Sequence, residues 1–266
     1  MSLLPPLLAL AAIGTTPAGA QSSPAPSTLT VFAAASLSGA FEELGALFRR
    51  RHPGITLRFN FAGSQQLAAQ LEHGAAADVF ASADGRWMAW VRDQGLAEGE
   101  PAIFARNRLV VIQPAADAGG IERIEHLARP ELKLVLAAEA VPVGGYSREV
   151  LRKLSRLPGF GSDYERRVLA NVVSEEDNVK GVVAKVQLGE ADAGLVYRSD
   201  VSPDHASRLR VLEFPAAANV VASYPIVVLA TSRAPDWARA FVDLILGAEG
   251  RATLARHGFT PPPAAH

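Results

Sequence analysis

The stretch Val31-Phe32-Ala33-Ala34-Ala35-Ser36-Leu37 is a corner between a strand and a helix. Its β-branched and aromatic opening predicts a buried strand over residues 29–35, and the apolar spacing that follows predicts a helix over 37–51. Ser36 falls at the predicted N-cap of that helix. Because a helix N-terminus presents unpaired N–H groups and the positive end of a dipole, the corner predicts a seat for an anion.

Strand and helix patterns alternate along the rest of the chain, which predicts parallel sheets flanked by helices. The further predicted strands cover residues 55–61, 78–82, 109–113, 132–137, 193–197, 209–213 and 224–230. The further predicted helices cover residues 64–73, 84–94, 121–128, 147–157, 163–170, 178–188, 237–246 and 249–257.

The length of 266 residues fits two α/β lobes better than one sheet. We expect a first lobe of residues 28–106 plus 224–266 and a second lobe of 107–223, each a mainly parallel sheet flanked by helices. Hydrophobic residues make up 49% of the chain and charged residues 20%, so each lobe can bury a core. A cleft between two such lobes is the expected place for a ligand.

The first residues predict export. Residues 3–13 form a short apolar run, and Ala18-Gly19-Ala20 has the form of a signal cleavage site, although no Lys or Arg precedes Arg49. We expect residues 1–20 to be a signal peptide, 21–27 a flexible start, and the mature protein to lie in the periplasm. The chain has no cysteine, which excludes disulfides and a lipid anchor on cysteine, and its net charge of −1 offers no bulk attraction to nucleic acid.

Four further corners resemble the first one. They are Gly63-Ser64 before a predicted helix, the glycine-containing stretch 141–147, the helix start at 176–179, and the strand 194–197 that ends at Tyr197. Each has an ordinary structural explanation as a cap, a turn or a core residue. Together they offer hydroxyl and amide donors with little charge, a set that holds a fully ionised oxyanion and disfavours one that still carries a proton, such as hydrogen phosphate.

The motifs, in order and spacing, are similar to those of the periplasmic molybdate-binding proteins of ABC importers, within the type II periplasmic binding protein family. The resemblance runs from about Leu29 to Phe259. Its motifs are Ala34-Ala35-Ser36-Leu37, Gly63-Ser64, Ala77-Asp78-Val79-Phe80-Ala81-Ser82-Ala83, Ala105-Arg106-Asn107-Arg108-Leu109, Val141-Pro142-Val143-Gly144 and Gly194-Leu195-Val196-Tyr197-Arg198-Ser199-Asp200.

The resemblance implies a two-lobed receptor that holds molybdate, and tungstate as well, between its lobes and delivers it to an inner-membrane ABC permease. It implies hydroxyl and backbone donors from Ser36 and Ser64, backbone donors from Val143 and Val179, and the hydroxyl of Tyr197. The position of Val143 is commonly alanine in this family. The resemblance implies no cofactor and a monomer.

Other classes of protein fit less well. The chain has no G-x-S-x-G, P-loop or G-x-G-x-x-G motif, and its six histidines lack metal-ligand spacing, so we expect no enzyme activity. A receptor for another tetrahedral oxyanion such as sulfate stays open, because the donor chemistry is the same and only the size of the anion differs. A regulatory domain of similar fold is disfavoured by the export signal and the lack of a DNA-binding extension.

Overall fold

The computed structural model describes residues 27–116, 120–201 and 207–262, and within them nine strands and eight α-helices. The strands are β1 (Ser27–Ala34), β2 (Ile55–Ala62), β3 (Val79–Ala81), β4 (Ala97–Pro114), β5 (Leu134–Ala137), β6 (Val172–Glu176), β7 (Ala193–Tyr197), β8 (Leu209–Glu213) and β9 (Val221–Leu229). The α-helices are α1 (Ser38–Arg51), α2 (Ser64–Glu72), α3 (Gly85–Asp93), α4 (Pro142–Leu154), α5 (Tyr164–Ala170), α6 (Val179–Gln187), α7 (Pro235–Leu246) and α8 (Ala248–Arg256).

Two groups of strands share the long strand β4. In the first group the order is β2-β1-β3-β9-β4, with β1 parallel to β2 and β3, and β9 antiparallel to β3 and β4. In the second group β4 pairs antiparallel with β7 and β8, and β5 pairs parallel with β6 and β7. The predicted two-lobed α/β class is confirmed, with antiparallel pairing added around β4 and β9. The exact limits of the lobes stay a prediction.

Strand β4 passes from one group to the other without a break. Its residues up to Arg108 pair with β9, and from Leu109 onward they pair with β7. The prediction of a strand at 109–113 missed this first half, because Gly99 and Pro101 interrupt its pattern and the ladder to β9 has register shifts there. The short strand β6 was also missed.

Helix α4 begins at Pro142, five residues earlier than the predicted start at 147, which corrects that boundary. Proline is favoured at the first position of a helix, whereas the two glycines after Val143 lower the local helix propensity. Gly144 is required by packing, because a Cβ atom there would lie 2.0 Å from the carbonyl oxygen of Ala138. At this helix start, proline at the first position and the close packing that requires glycine outweigh the low helix propensity of the two glycines.

Apolar packing fixes the helices that reach the centre of the molecule. The predicted valine stripe of α6 is buried and consists of Val179, Val182, Val183 and Val186. The helix lies close to β7, since a Cβ atom on Gly194 would come within 2.7 Å of Val182. In the first group of strands the ring of Phe41 meets that of Phe241 at 5.9 Å.

The predicted signal peptide and residues 21–26 lie outside the described residues, and Ser27, predicted as part of the flexible start, already pairs with Ile55. No helix of the described part has the length and apolar character needed to cross a bilayer.

Candidate functional site

A small cavity lies where the carboxyl ends of parallel strands from both groups face each other. Strands β1, β2 and β3 lead to it on one side and β5, β6 and β7 on the other, which is where open α/β sheets bind ligands. Its lining consists of Ala34, Ala35, Ser36, Ala62, Gly63, Ser64, Ala83, Val141, Pro142, Val143, Asn178, Val179 and Tyr197. All five residues predicted for the ligand site are in this set.

Ser36 lies in a short 3₁₀ turn, Ala35–Leu37, which precedes α1. The prediction that Ser36 caps α1 is wrong, because the N-cap position belongs to Leu37 and neither turn nor helix has a capping side chain. The Ser36 hydroxyl instead lies 3.1 Å from the hydroxyl of Tyr224. The side chain is therefore held by a residue of β9 and turned away from the backbone of its own helix.

Ser64 is the first residue of α2, and Gly63 holds the N-cap position that was predicted for Ser64. The Gly63 N–H donates a hydrogen bond to the side chain of Gln66, in the first turn of the same helix. The buried Ser64 Oγ accepts a hydrogen bond of 3.0 Å from the N–H of Ala83, after β3. Since that contact uses only a lone pair of the oxygen, the hydroxyl hydrogen is available to a ligand.

Val143 is the second residue of α4, and Val179 is the first residue of α6. Residues at these positions have no carbonyl partner within their own helix, so their N–H groups are available as donors. The side chain of Asn178 caps α6 by accepting from the N–H groups of Lys180 and Gly181 at 2.9 and 3.3 Å. The cap leaves the Val179 N–H free for the cavity.

Tyr197 ends β7 and is 1% exposed. Its hydroxyl is buried and has no hydrogen-bond partner among the described residues. Burial raises the pKa of Tyr197 well above its ordinary value, with a smaller contribution from the neighbouring Tyr224, so the group stays protonated. A buried hydroxyl without a partner is costly, and a ligand in the cavity that accepts its hydrogen removes that cost.

The cavity lining offers hydrogen-bond donors and no charged side chain. Among the described residues that line it there is no Asp, Glu, Lys, Arg or His, and the part of the chain that the structure describes contains no cluster of His, Asp and Glu able to hold a metal ion. The N-termini of α2, α4 and α6 reach it together, and each carries roughly half a positive charge. Hydroxyls, amides and helix dipoles suit a compact anion that has only acceptor atoms.

The space inside is small. Its empty volume is about 220 Å³, including the solvent at its mouth. Pockets that bind drug-sized molecules measure roughly 300–1,000 Å³, so the cavity suits a compact ion better than an organic molecule such as a sugar phosphate.

Hydrogen bonds join the two sides beside the cavity. The Trp87 Nε1–H and the Arg86 guanidinium, both on α3, donate to the carbonyl of Ala140 at 2.9 and 2.7 Å. On α2, Gln65 donates through Nε2 to the carbonyl of Asp177 at 2.8 Å. Ala140 lies two residues before the start of α4, and Asp177 lies two residues before the start of α6. These contacts hold the donors of α4 and α6 close to those of the first side.

Comparison with known proteins shows the family of this chain. The model for bacterial extracellular solute-binding proteins matches residues 29–260. The chain belongs to the bacterial extracellular solute-binding protein family. It is 40% identical over 235 residues to the molybdate-binding protein ModA of Mycobacterium tuberculosis H37Rv, which covers 88% of this chain and 85% of that protein. The resemblance to molybdate-binding proteins that the sequence predicts is confirmed.

Solved structures agree with the fold. The periplasmic molybdate-binding protein of Azotobacter vinelandii matches with a TM-score of 0.74 at 22% identity, covering 88% of this chain and 99% of that one. The sulfate-binding protein SubI of Mycobacterium tuberculosis matches with a TM-score of 0.80 at 15% identity, covering 90% of this chain and 88% of that one. At these identities both matches establish only the shared architecture.

Sequence reasoning missed two contributors to the site. Ala83 supplies the N–H that holds Ser64, and Tyr224 supplies the hydroxyl that holds Ser36. Neither residue carries a local signal, because an alanine donates only through its backbone and a tyrosine in an apolar strand resembles a core residue. Only the folded chain brings them to the corners that they support.

Proposed function

We propose that this chain is a receptor for molybdate, bound in the cavity by the hydroxyls of Ser36, Ser64 and Tyr197 and the backbone N–H groups of Val143 and Val179. The observation that carries the proposal is the buried Tyr197 hydroxyl, which lacks a partner among the described residues and lines a cavity free of charged side chains. Donors without acceptors fit an oxyanion that has lost all its protons, and molybdate is in that state near neutral pH.

The relatives favour molybdate over sulfate. The 40% identity to a molybdate-binding protein is far higher than the 15% identity to the sulfate-binding neighbour of similar fold. Sulfate would use the same donors, but its shorter bonds make a smaller tetrahedron, and hydrogen bonds set for molybdate would be stretched. Tungstate has the shape and charge of molybdate, so the same cavity binds it as well.

The transport role follows from a cavity between two lobes. The oxyanion binds the donors of one lobe, and the other lobe closes over it by a hinge motion. The receptor works in the periplasm as a monomer after removal of residues 1–20, needs no cofactor, and hands the anion to an inner-membrane ABC permease. The small cavity and the cross-cleft hydrogen bonds of Trp87 and Gln65 suit the closed form of such a cycle.

Thermal unfolding with added anions tests the proposal. The chain without residues 1–20 is melted alone and with molybdate, tungstate, sulfate or phosphate. A ligand at 100 times its Kd adds about 2.7 kcal/mol to the folded state, which raises the Tm of a chain of this size by roughly 5–10 °C. We expect this rise with molybdate and tungstate only. A rise with sulfate alone would assign the protein to sulfate, and no rise with any anion would refute oxyanion binding.

A further inference from the structure

A series of buried polar side chains leads away from the cavity at Ser36. The Ser36 hydroxyl lies 3.1 Å from the Tyr224 hydroxyl, which lies 3.5 Å from Nδ2 of Asn107. The same Nδ2 donates to Oγ of Ser199 at 2.8 Å. Ser36, Tyr224, Asn107 and Ser199 are called the Tyr224 network below. All four side chains are buried.

The network spans the paired strands β4 and β9 and the turn after β7. Tyr224 lies on β9 and Asn107 on β4, on neighbouring strands where β9 pairs with β4. Ser199 follows β7 in a 3₁₀ turn, Arg198–Asp200. The side chain of Ser36 is thus held from the β4–β9 strand pair, by a tyrosine that lies 188 positions away in sequence.

The amide of Asn107 fixes which hydroxyl donates in the hydrogen bond between Tyr224 and Ser36. Oδ1 of Asn107 accepts the N–H of Arg108 at 2.9 Å, which identifies the other amide atom, Nδ2, as the one that faces Ser199 and Tyr224. Nδ2 only donates, so it cannot take the hydrogen of the Tyr224 hydroxyl. Within the described contacts of Tyr224 the remaining acceptor is Oγ of Ser36.

The direction of this hydrogen bond decides whether Ser36 presents a hydrogen or a lone pair to a ligand. With Tyr224 donating, Oγ of Ser36 is an acceptor toward β9, and its own hydrogen is free to point into the cavity. In the reverse direction Ser36 would donate to Tyr224 and present a lone pair to the anion. An oxygen lone pair repels a fully ionised oxyanion but accepts the proton of one that is still protonated.

We propose that Tyr224 is a positioning residue that holds Ser36 as a donor and thereby makes the cavity select a fully deprotonated oxyanion over a protonated one. The inference rests on the proposed function, since it concerns the same cavity. It adds a specificity-determining residue that does not touch the ligand.

Tyr224→Phe tests the inference, because it removes only the hydroxyl. The ring keeps its contacts with Phe104, Tyr197 and Phe259, at centroid distances of 6.3, 5.7 and 5.3 Å, so the variant retains its fold, which thermal unfolding without ligand checks. Calorimetric titration with molybdate should give an affinity about 2- to 12-fold lower, the range for one ordinary hydrogen bond. The ratio of the Kd for phosphate to that for molybdate, both measured at pH 8, should fall as well.

A double-mutant cycle separates positioning from a general structural effect. In the Ser36→Ala background, Tyr224→Phe should change the affinity for molybdate by less than about 1.5-fold, because the hydroxyl that it positions is gone. Tyr164→Phe is the matched control, since the Tyr164 hydroxyl is also buried but donates to the carbonyl of Ile124, remote from the cavity. The control should leave both affinities unchanged.

The outcomes are distinct from those that test the proposed function. If the unaltered chain does not bind molybdate, the proposed function fails. If the chain binds molybdate and Tyr224→Phe binds it equally well, only the positioning role is refuted. An unchanged ratio of phosphate to molybdate affinity, or a full loss that persists in the Ser36→Ala background, would also overturn that role.

Discussion

Replacing Tyr197 by phenylalanine should separate stability from binding. The Tyr197 hydroxyl has no partner among the described residues, so its removal breaks no hydrogen bond within that part of the chain. The free energy of unfolding without ligand should therefore stay unchanged or rise by up to about 1 kcal/mol, because a buried hydroxyl no longer loses its hydration. For a chain of this size the rise in Tm is at most about 2–4 °C.

The affinity for molybdate should fall in the Tyr197→Phe variant. A hydrogen bond to a charged group contributes about 1.5–3 kcal/mol, so the loss of the Tyr197 donor should weaken molybdate binding roughly 10- to 150-fold. The phenol stays protonated from pH 6 to pH 8, since burial raises its pKa well above the ordinary value. The effect of the substitution should therefore be the same from pH 6 to pH 8.

Tyr164→Phe provides the contrast. Both tyrosines are buried, but the Tyr164 hydroxyl donates to the carbonyl of Ile124. Its removal should lower the free energy of unfolding by about 1–3 kcal/mol and leave binding intact. Titration calorimetry and thermal unfolding of both variants give the two readouts. A Tyr197→Phe protein that is less stable without ligand and binds molybdate normally would refute the assignment of this hydroxyl to the site.

Three further substitutions test the donors and their support. Ser64→Ala should weaken molybdate binding by about 1–3 kcal/mol in calorimetry, and unchanged affinity would remove this hydroxyl from the site. Trp87→Phe deletes the 2.9 Å hydrogen bond to Ala140 and should speed release of molybdate about 2- to 12-fold in stopped-flow fluorescence, with little change in the association rate. Gly144→Ala should destabilise the fold by about 1–3 kcal/mol in chemical unfolding and also weaken binding, because its Cβ would lie 2.0 Å from a carbonyl oxygen. Gly145→Ala is its control, with the nearest atom at 3.4 Å, and equal effects of the two would contradict this account.

Much of the candidate site could be predicted from sequence because its donors belong to local corners. A strand, a small residue and a helix start are short-range features, and Ser36, Ser64 and Val179 each stand at such a start. The exact cap positions were wrong by one residue at Ser36 and Ser64. The reason is that the serine hydroxyls bond to distant partners, Tyr224 and Ala83, and not to their own helices.

The parts that could not be predicted depend on long-range contacts. The first half of β4 is a strand only because β9, more than 100 residues later, pairs with it. The early start of α4 at Pro142 was missed for a local reason, because Gly144 and Gly145 lower the helix propensity although Gly144 is required where it packs against the carbonyls of Ala137 and Ala138. The Tyr224 network joins Ser36 to residues of β4 and β9, so its role becomes visible only when the fold is known.

A crystal structure of the chain with molybdate, phased with the anomalous signal of molybdenum, tests the central claim most directly. We predict one strong anomalous peak in the cavity, with tetrahedral oxygens at hydrogen-bond distance, about 2.7–3.2 Å, from the hydroxyls of Ser36, Ser64 and Tyr197 and the N–H groups of Val143 and Val179. A peak at another place, or molybdate in the cavity with the Tyr197 hydroxyl still without a partner, would contradict the account.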